Sequence, residues 1–308
     1  MEVKNVTVNG FVLLGFYELP SFQLGLFLIF LIIYVGTLVG NSVTTALFCF
    51  DPNFHSPMYI FLCNMSVLDM SFTTMVLPKL LDILLTGNHV ISYNGCITQV
   101  FLFVVLMVTE FFILAAMAYD RYVAICHPLH YSYFMSLQVC FWMSWTSWSI
   151  GVLDGLLYAI LISTCTFCRT NKVDHLFCDM KPLMMISCSD THTIEMVILG
   201  PSAIIGFVPS VMTLVSYMYI ISTILKINSK EGRQKTFSTC SSHLTVILLF
   251  YGTVLGMYMR PKSSYSMDQD KVFAILYAGV IPMLNPLIYS LRNQEVKKAL
   301  CKIKKQIL

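Results

Sequence analysis

The sequence predicts an all-α membrane protein, a bundle of seven transmembrane helices followed by a short amphipathic C-terminal helix. Three observations predict this fold: the composition, the length of the apolar runs and the placement of the basic residues. Of the 308 residues, 57% are hydrophobic and only 11% are charged, whereas a soluble domain carries about 25% charged residues. So little polar surface excludes an ordinary water-soluble chain.

Seven apolar runs are long enough to cross a bilayer, which takes about 20 mostly apolar residues. They lie at about 24–50, 58–85, 96–125, 139–162, 194–227, 237–259 and 272–291. Interior prolines such as Pro209 and Pro286 are compatible with such helices, because neighbouring helices and water satisfy the freed backbone groups. We therefore expect a single seven-transmembrane domain over 1–308, with an extracellular N-terminus at 1–23, the helix bundle at 24–291 and a cytoplasmic tail at 292–308.

The placement of charges and cysteines predicts the orientation. Of the 19 Lys and Arg residues, 11 fall on the side of the C-terminus and 7 on the other, with Lys79 inside a span. Basic loops mark the cytoplasmic side. On the opposite side, Asn5-Val6-Thr7 matches a glycosylation acceptor, and five cysteines fall there, where disulfides persist: Cys96, Cys165, Cys168, Cys178 and Cys188. Their spacing alone leaves the pairing open. We expect a plasma-membrane protein with the C-terminus in the cytoplasm.

Two carboxylates, Asp69 in the second span and Glu110 in the third, lie within apolar runs, where an ionised side chain is costly. They are either neutral acids hydrogen-bonded between helices or, with Asn41 and Asn285, part of a polar cavity that holds a cation, for which sodium is the candidate. An intramembrane aspartyl protease also needs two carboxylates, but no glycine-supported catalytic turn surrounds either one.

The end of the third span reads Met117-Ala118-Tyr119-Asp120-Arg121-Tyr122-Val123-Ala124-Ile125-Cys126-His127-Pro128. An Asp-Arg pair alone could be an interfacial charge pair, with Arg121 reaching the headgroups. Together with further motifs, however, this string resembles the odorant receptors of tetrapod vertebrates, a branch of the rhodopsin-like G-protein-coupled receptors. The further motifs are Gly40-Asn41, the run from Pro57 to Leu62, Ser216-Tyr217, the run from Lys235 to Leu244, and the run from Pro282 to Asn293.

The resemblance implies a receptor that binds a small, mainly apolar volatile ligand and activates a stimulatory, olfactory-type G protein that raises cyclic AMP. It implies that Arg121 contacts the G protein and that Asp120 holds Arg121 in the inactive state. The remaining switch residues that it implies are Tyr122, Tyr217, Tyr289 and the Asn285-Pro286 hinge. Interfacial packing is the alternative role for the tyrosines. It also implies the disulfides Cys96–Cys178 and Cys168–Cys188, with Cys165 left as a buried thiol.

Positions that match the family's ligand site come from four spans, in the half of the bundle nearest the cysteines. They are Phe103, Val104, Met107, Val108 and Phe111; Ser202, Ile205 and Gly206; Val254, Leu255 and Tyr258; and Ile275 and Ala278. For any one of them the alternative is a lipid-facing or packing role. The set is apolar with a few hydroxyls, as small-molecule sites are, and it has no carboxylate where receptors for amines hold their ligand.

The tail carries an apolar stripe at spacings of four, three and four, formed by Val296, Leu300, Ile303 and Ile307. Such a stripe opposite lysines predicts a helix that lies on the inner leaflet and contacts membrane lipid. Cys301 is either a palmitate acceptor or a plain thiol.

Other classes of protein fit less well. A transporter would have repeats in its two halves, and none is visible. No metal-ligand cluster or nucleophile-base pattern predicts an enzyme, and no cofactor is expected apart from the sodium candidate. The net charge of +3 predicts no nucleic-acid partner. Within receptors, the alternative is a rhodopsin-like receptor for a non-odorant metabolite outside the nose.

Overall fold

The computed structural model describes residues 10–17, 20–50, 56–168, 170–258 and 267–292. The Asn5 acceptor site and the tail from residue 293 lie outside these ranges. Glycosylation, the tail helix and the modification of Cys301 therefore stay predictions.

The described chain is mostly helical, and seven helical segments follow the order of the predicted spans. They are α1 (Gln23–Phe50), α2 (Pro57–Thr86), α3 (Tyr93–Cys126), α5 (Leu137–Ser163), α7 (Thr191–Leu225), α8 (Lys230–Tyr258) and the pair α9 (Met267–Ile275) and α10 (Ile281–Arg292). A π-helical segment, Leu276–Val280, joins α9 to α10. Two short helices, α4 (Tyr131–Phe134) and α6 (Met180–Ile186), lie in the loops.

Within the described residues, six helical segments are long and apolar enough to span a membrane, and helix α8 has a shorter apolar stretch at His243–Met257. Helix α8 contains the predicted sixth span, 237–259, up to Tyr258, where this described range ends. Its first turns, with Glu231 and Arg233, precede that span.

Local sequence explains where several of these helices begin and end. Ser92 accepts a hydrogen bond from the Gly95 N–H at 3.1 Å and caps α3, because a side-chain oxygen before a helix satisfies one of its free N–H groups. Asp190 caps α7 in the same way. Helix α2 begins at Pro57 and ends at Thr86, and the Gly87 that follows has a φ of 71°, which suits a residue without a Cβ.

A three-stranded sheet, which the sequence analysis did not predict, joins three distant segments. Strand β1 (Gly10–Leu13) lies between β2 (Val90–Ser92), to which it is antiparallel, and β3 (Lys172–Val173), to which it is parallel. Phe11 and Leu13, on one face of β1, are fully buried. The sheet therefore fastens the N-terminal segment across the loops that follow α2 and α5.

Both disulfides that the resemblance implied are present, Cys96–Cys178 and Cys168–Cys188. Cys165 is a buried free thiol, and burial raises its pKa. The first bridge ties the start of α3 to the loop between α5 and α7. We call this end of the bundle the disulfide end, and the opposite end, at Asp120 and Arg121, the Asp-Arg end.

Glycines allow the helices to approach closely at two seams. A Cβ at Gly151 on α5 would lie 2.5 Å from Thr109 Oγ1 and 2.6 Å from the Val105 carbonyl oxygen on α3. A Cβ at Gly40 on α1 would lie 3.4 Å from the ring of Pro286 on α10. Small residues at such contacts allow membrane helices to pack closely, since inside a bilayer no hydrophobic effect drives the helices together.

Candidate functional site

Aromatic rings from three elements meet around Phe103 at the disulfide end of α3. Its ring centroid lies 5.2 Å from that of Phe177 in the α5–α7 loop, 6.0 Å from Tyr277 in the π segment and 6.0 Å from Phe72 on α2. Phe103 is 1% exposed and Phe177 is fully buried. The disulfide at Cys178 holds Phe177 here, because the two residues are adjacent.

The rings continue towards the middle of the bundle. Tyr277 lies 5.7 Å from Phe250 on α8, and Phe250 lies 4.8 Å from Phe111 on α3. Phe111 also contacts Tyr251 at 5.4 Å. We call Phe72, Phe103, Phe111, Phe177, Phe250 and Tyr277 the ring cluster. It links the loop at the disulfide end, helix α3, helix α8 and the π segment.

Tyr277 also explains how one intramembrane carboxylate is accommodated. Its hydroxyl donates to Glu110 Oε2 at 3.1 Å, and both residues are buried. A π segment shifts the residues that a helix presents to its neighbours, and here Tyr277, Ala278 and Gly279 are all buried. Ile275 and Ala278 were predicted from the sequence as ligand-site residues, whereas Tyr277 between them was not. Because Tyr277 lies between two predicted ligand residues of the seventh span, its position in the sequence could have indicated it as a candidate site residue.

The other predicted ligand residues are only partly brought together. On α3, Val104 and Val108 are buried and Met107 is partly buried, while on the seventh span Ala278 is buried and Ile275 is partly buried. On α7, Ser202 shares a hydrogen bond with the Tyr158 hydroxyl of α5 at 2.6 Å. Ile205 and Gly206 are half-buried, as is Val254 on α8.

Leu255 departs from the prediction that it faces the ligand. It is 50% exposed, because the rotation of α8 directs Phe250 and Met257 inward and turns Leu255 out of the bundle. The side chain of Tyr258 lies outside the described part of the structure.

All four residues of the predicted polar core form hydrogen bonds with or within the seventh span, but they do not form one cluster. Asn285 Nδ2 donates to both Asp69 oxygens, at 2.9 and 3.1 Å. Asn41 Nδ2 donates to the Pro282 carbonyl oxygen at 3.1 Å. Glu110 instead bonds to Tyr277. Among the described atoms, Asn285 Oδ1 is buried without a hydrogen-bond partner.

At the Asp-Arg end, Asp120 is fully buried and has two partners. Arg121 Nη2 lies 3.0 Å from Asp120 Oδ2, and the Tyr131 hydroxyl donates to Asp120 Oδ1 at 2.8 Å. Burial, with the negative Asp120, raises the pKa of Tyr131, so Tyr131 stays a donor at neutral pH. The sequence analysis missed Tyr131, which lies outside the third span.

The two predicted switch tyrosines have different environments. The Tyr217 hydroxyl on α7 shares a 2.7 Å hydrogen bond with His243 Nδ1 on α8. The Tyr289 hydroxyl on α10 is buried without a partner among the described atoms. Pro286 is buried against Gly40. Tyr217 is thus bonded across helices, whereas Tyr289 has an unused donor inside the bundle.

Tyr122, predicted as part of the same switch, faces outward. Its hydroxyl shares a 3.0 Å hydrogen bond with His127 Nε2, and its ring lies 5.7 Å from that of Tyr219. It lines an open depression of about 370 Å³ with Tyr119, Val123, His127, His130 and Phe134. Tyr122 therefore contributes to the surface at the Asp-Arg end and not to the buried Asp120 cluster.

Comparison with known proteins agrees with this geometry. The family model described as olfactory receptor matches residues 30–306. The chain belongs to the olfactory receptor family. It is 45% identical to olfactory receptor 5B21 of Mus musculus, over 98% of this chain and 95% of that protein. It is 47% identical to olfactory receptor 5B12 of Homo sapiens, over 96% and 94%.

The fold also matches squid rhodopsin, with a TM-score of 0.70 over 92% of this chain and 80% of that one, at 16% sequence identity. The seven-helix architecture of the olfactory receptor is thus shared with a distant protein. Membership of the olfactory receptor family makes the chain a multi-pass membrane receptor and not an enzyme.

Proposed function

We propose that this olfactory receptor binds a small, mainly apolar volatile ligand at the ring cluster and signals through a stimulatory, olfactory-type G protein that raises cyclic AMP. The observation that carries the proposal is the continuous contact from Phe177 through Phe103 and Tyr277 to Phe250. Apolar rings with the Tyr277 hydroxyl among them suit a weakly polar molecule, since such sites combine apolar walls with a few polar groups.

The proposed orientation places the disulfide end outside the cell and the Asp-Arg end in the cytoplasm. Two disulfides at one end and the larger number of basic residues at the other support it, because disulfides persist outside the cytosol and basic loops stay inside. Ligand and G protein then bind at opposite ends of α3.

Helix α8 provides a physical connection between those ends. Phe250 on α8 belongs to the ring cluster, and His243, two turns away on the same helix, bonds to Tyr217 on α7. A ligand that displaces Phe250 moves a rigid helix and strains the Tyr217–His243 bond. We propose that the Asp120–Arg121 pair is the resting arrangement and that its loss exposes Arg121 to the G protein. The ligand acts by its higher affinity for the second arrangement.

We also propose that a sodium ion binds at the polar core in the resting state. Asp69 and the unpartnered Asn285 Oδ1 are oxygen donors of the kind that hard cations prefer. The ion would neutralise a buried carboxylate, which otherwise has to be protonated to remain in the membrane. Glu110, whose Oε2 accepts from Tyr277, is the second candidate carboxylate for the ion.

A functional screen tests the proposal. The receptor is expressed with the olfactory-type stimulatory G protein and a cyclic-AMP reporter, and a panel of volatile odorants is applied. We expect at least one dose-dependent response, and we expect Arg121→Ala to abolish it at equal surface expression, because that residue is proposed to contact the G protein. Lys172→Ala, which removes an exposed basic side chain at the disulfide end, serves as the control.

Two outcomes would contradict the proposal. A response that persists in Arg121→Ala would remove Arg121 from the coupling step. Silence of a surface-expressed receptor to every volatile, with a response to dissolved metabolites, would favour the alternative of a metabolite receptor.

A further inference from the structure

An ion pair joins the loop that carries Phe177 to the helix that leads to Tyr277. Lys271 Nζ on α9 lies 2.6 Å from Asp174 Oδ1 in the α5–α7 loop, and 3.6 Å from Asp268 Oδ1 on α9 itself. Lys271 is only 9% exposed. The Lys271 side chain is 11% exposed, whereas that of Asp174 is 38% exposed. Ion pairs on an open surface contribute little, but loss of Asp174 leaves the buried lysine with the longer contact to Asp268, which is unfavourable.

The loop segment between Asp174 and Phe177 is short and ordered by its own contacts. His175 is 2% exposed, its Nδ1 donates to the Phe177 carbonyl oxygen at 3.1 Å, and its ring lies 4.8 Å from the Phe177 ring. The N–H of Gly15 donates to the His175 carbonyl oxygen at 3.2 Å. A displacement of Asp174 is therefore transmitted to Phe177.

The other partner of the ion pair leads equally directly to the ring cluster. Lys271 lies on α9, and α9 continues into the π segment that contains Tyr277. Phe103 contacts both Phe177 and Tyr277. The ion pair thus connects the two backbones that supply the ring partners of Phe103 at the disulfide end.

We propose that Asp174 and Lys271 are positioning residues that set the separation of Phe177 and Tyr277 and thereby determine the size of ligand that the ring cluster admits. This inference rests on the proposed ligand site. With the ion pair intact, the two rings stay close to Phe103 and small ligands are favoured. Without it, the loop moves away from α9 and longer ligands gain affinity at the expense of shorter ones.

The test uses charge reversal and its rescue. Lys271→Glu, Asp174→Lys and the double exchange are compared across a homologous series of neutral aliphatic odorants of increasing chain length. We expect each single variant to shift half-maximal concentrations by about tenfold, in opposite directions for short and long members, with an unchanged maximal response. The double exchange re-forms the pair with reversed sign and should restore most of the wild-type order, less the repulsion between the carboxylate then on α9 and Asp268. Lys172→Glu, an exposed lysine in the same loop, is the matched control and should change nothing.

A purely structural role predicts a different result, in which surface expression falls and every odorant weakens by the same factor. That result would overturn the inference. So would a selective loss of acidic odorants in Lys271→Glu, because it would make the lysine a direct ligand contact.

A second measurement does not depend on any odorant. Hydrogen exchange of the purified full-length receptor should be about tenfold faster at residues 171–178 in both single variants, and normal in the double exchange and in Lys172→Glu. Unchanged exchange in the single variants would overturn the inference. If the wild type answers no odorant in the screen, the proposed function fails while this measurement still decides whether the ion pair positions the loop.

Discussion

The two halves of helix α3 have opposite kinds of surroundings. Towards the disulfide end, Phe103 and Phe111 contact other aromatic rings. Towards the Asp-Arg end, the contacts are buried polar pairs, such as Asp120 with Arg121 and Tyr131. Ring pairs add only about 0.5–1.5 kcal/mol beyond their burial, so a ligand of similar shape can replace them. Buried polar pairs have fixed partners, and leaving one unpaired is costly.

This difference suits the two tasks proposed for the receptor. Recognition of varied apolar molecules needs contacts that depend on shape and that allow a ligand to take the place of a protein ring. Signalling needs a small number of distinct conformations of the bundle. Buried polar groups provide them when they exchange one hydrogen-bond partner for another. Helix α5 packs against the middle of α3, between the two halves. A substitution at this contact should therefore disturb both halves together.

The largest effect is expected from Gly151→Ala, at the α3–α5 seam. The added methyl group would lie 2.6 Å from the Val105 carbonyl oxygen, and backbone cannot move aside as a flexible side chain can. Overpacking of this kind costs about 1–3 kcal/mol. We expect surface expression to fall about tenfold, with odorant response and basal activity lost in proportion, as measured by surface labelling and the cyclic-AMP reporter.

Gly252→Ala is the matched control, since a Cβ there meets nothing within 4 Å. It should leave expression unchanged. Normal surface expression of Gly151→Ala would show that α3 and α5 can move apart without loss of folding. The two halves of α3 would then not both depend on the packing at Gly151.

A selective effect at the Asp-Arg end is expected from Asp120→Asn. The substitution removes the charge that pairs with Arg121 and weakens the bond from Tyr131. We expect basal cyclic AMP per surface receptor to rise about threefold to tenfold, the range of a coupling energy of about 1 kcal/mol, with an unchanged order of odorant preference. Tyr131→Phe, which removes one hydrogen bond and no charge, should raise it less. A changed odorant order would contradict the separation of the two halves.

The sequence predicted the helices well because each apolar run is a local signal of about 20 residues. Strand β1 could not be predicted in this way. It has four residues, and its partners β2 and β3 are far away in the chain, so its existence depends on the finished fold. The pairing of the four bridged cysteines came from the family resemblance, because spacing alone permits several connectivities.

Around the candidate site, the prediction was limited by helix geometry. Regular periodicity does not reveal that Leu276–Val280 is a π segment, and Tyr277 was missed for that reason. The inward rotation of α8 depends on its neighbours, which is why Leu255 was assigned to the ligand wall although it is half exposed. Tyr131 was missed because its partner, Asp120, is brought to it by the return of the chain after α3.

The smallest effect is expected at the disulfide end and concerns pH. Burial lowers the pKa of His175 from 6.5 to about 4. The nearby charges are those of Asp174, Asp270 and Lys271. His175 takes up a proton more readily when the loop is displaced than when it is folded. The folded loop therefore has its full stability above about pH 6.5 and loses it as the pH falls towards about 4. The total loss is at most about 3 kcal/mol.

At pH 5.5 on the side of the disulfide end the loss is about 1.4 kcal/mol at most, so the potency of a neutral odorant should fall no more than about tenfold relative to pH 7.4, with basal activity unchanged. His175→Gln should remove most of this dependence. If the variant keeps it, a group other than His175 is responsible. A parallel rise in basal activity would mean that protonation in the loop reaches the Asp120–Arg121 pair, and the two halves of α3 would then be more strongly coupled than their separate contacts indicate.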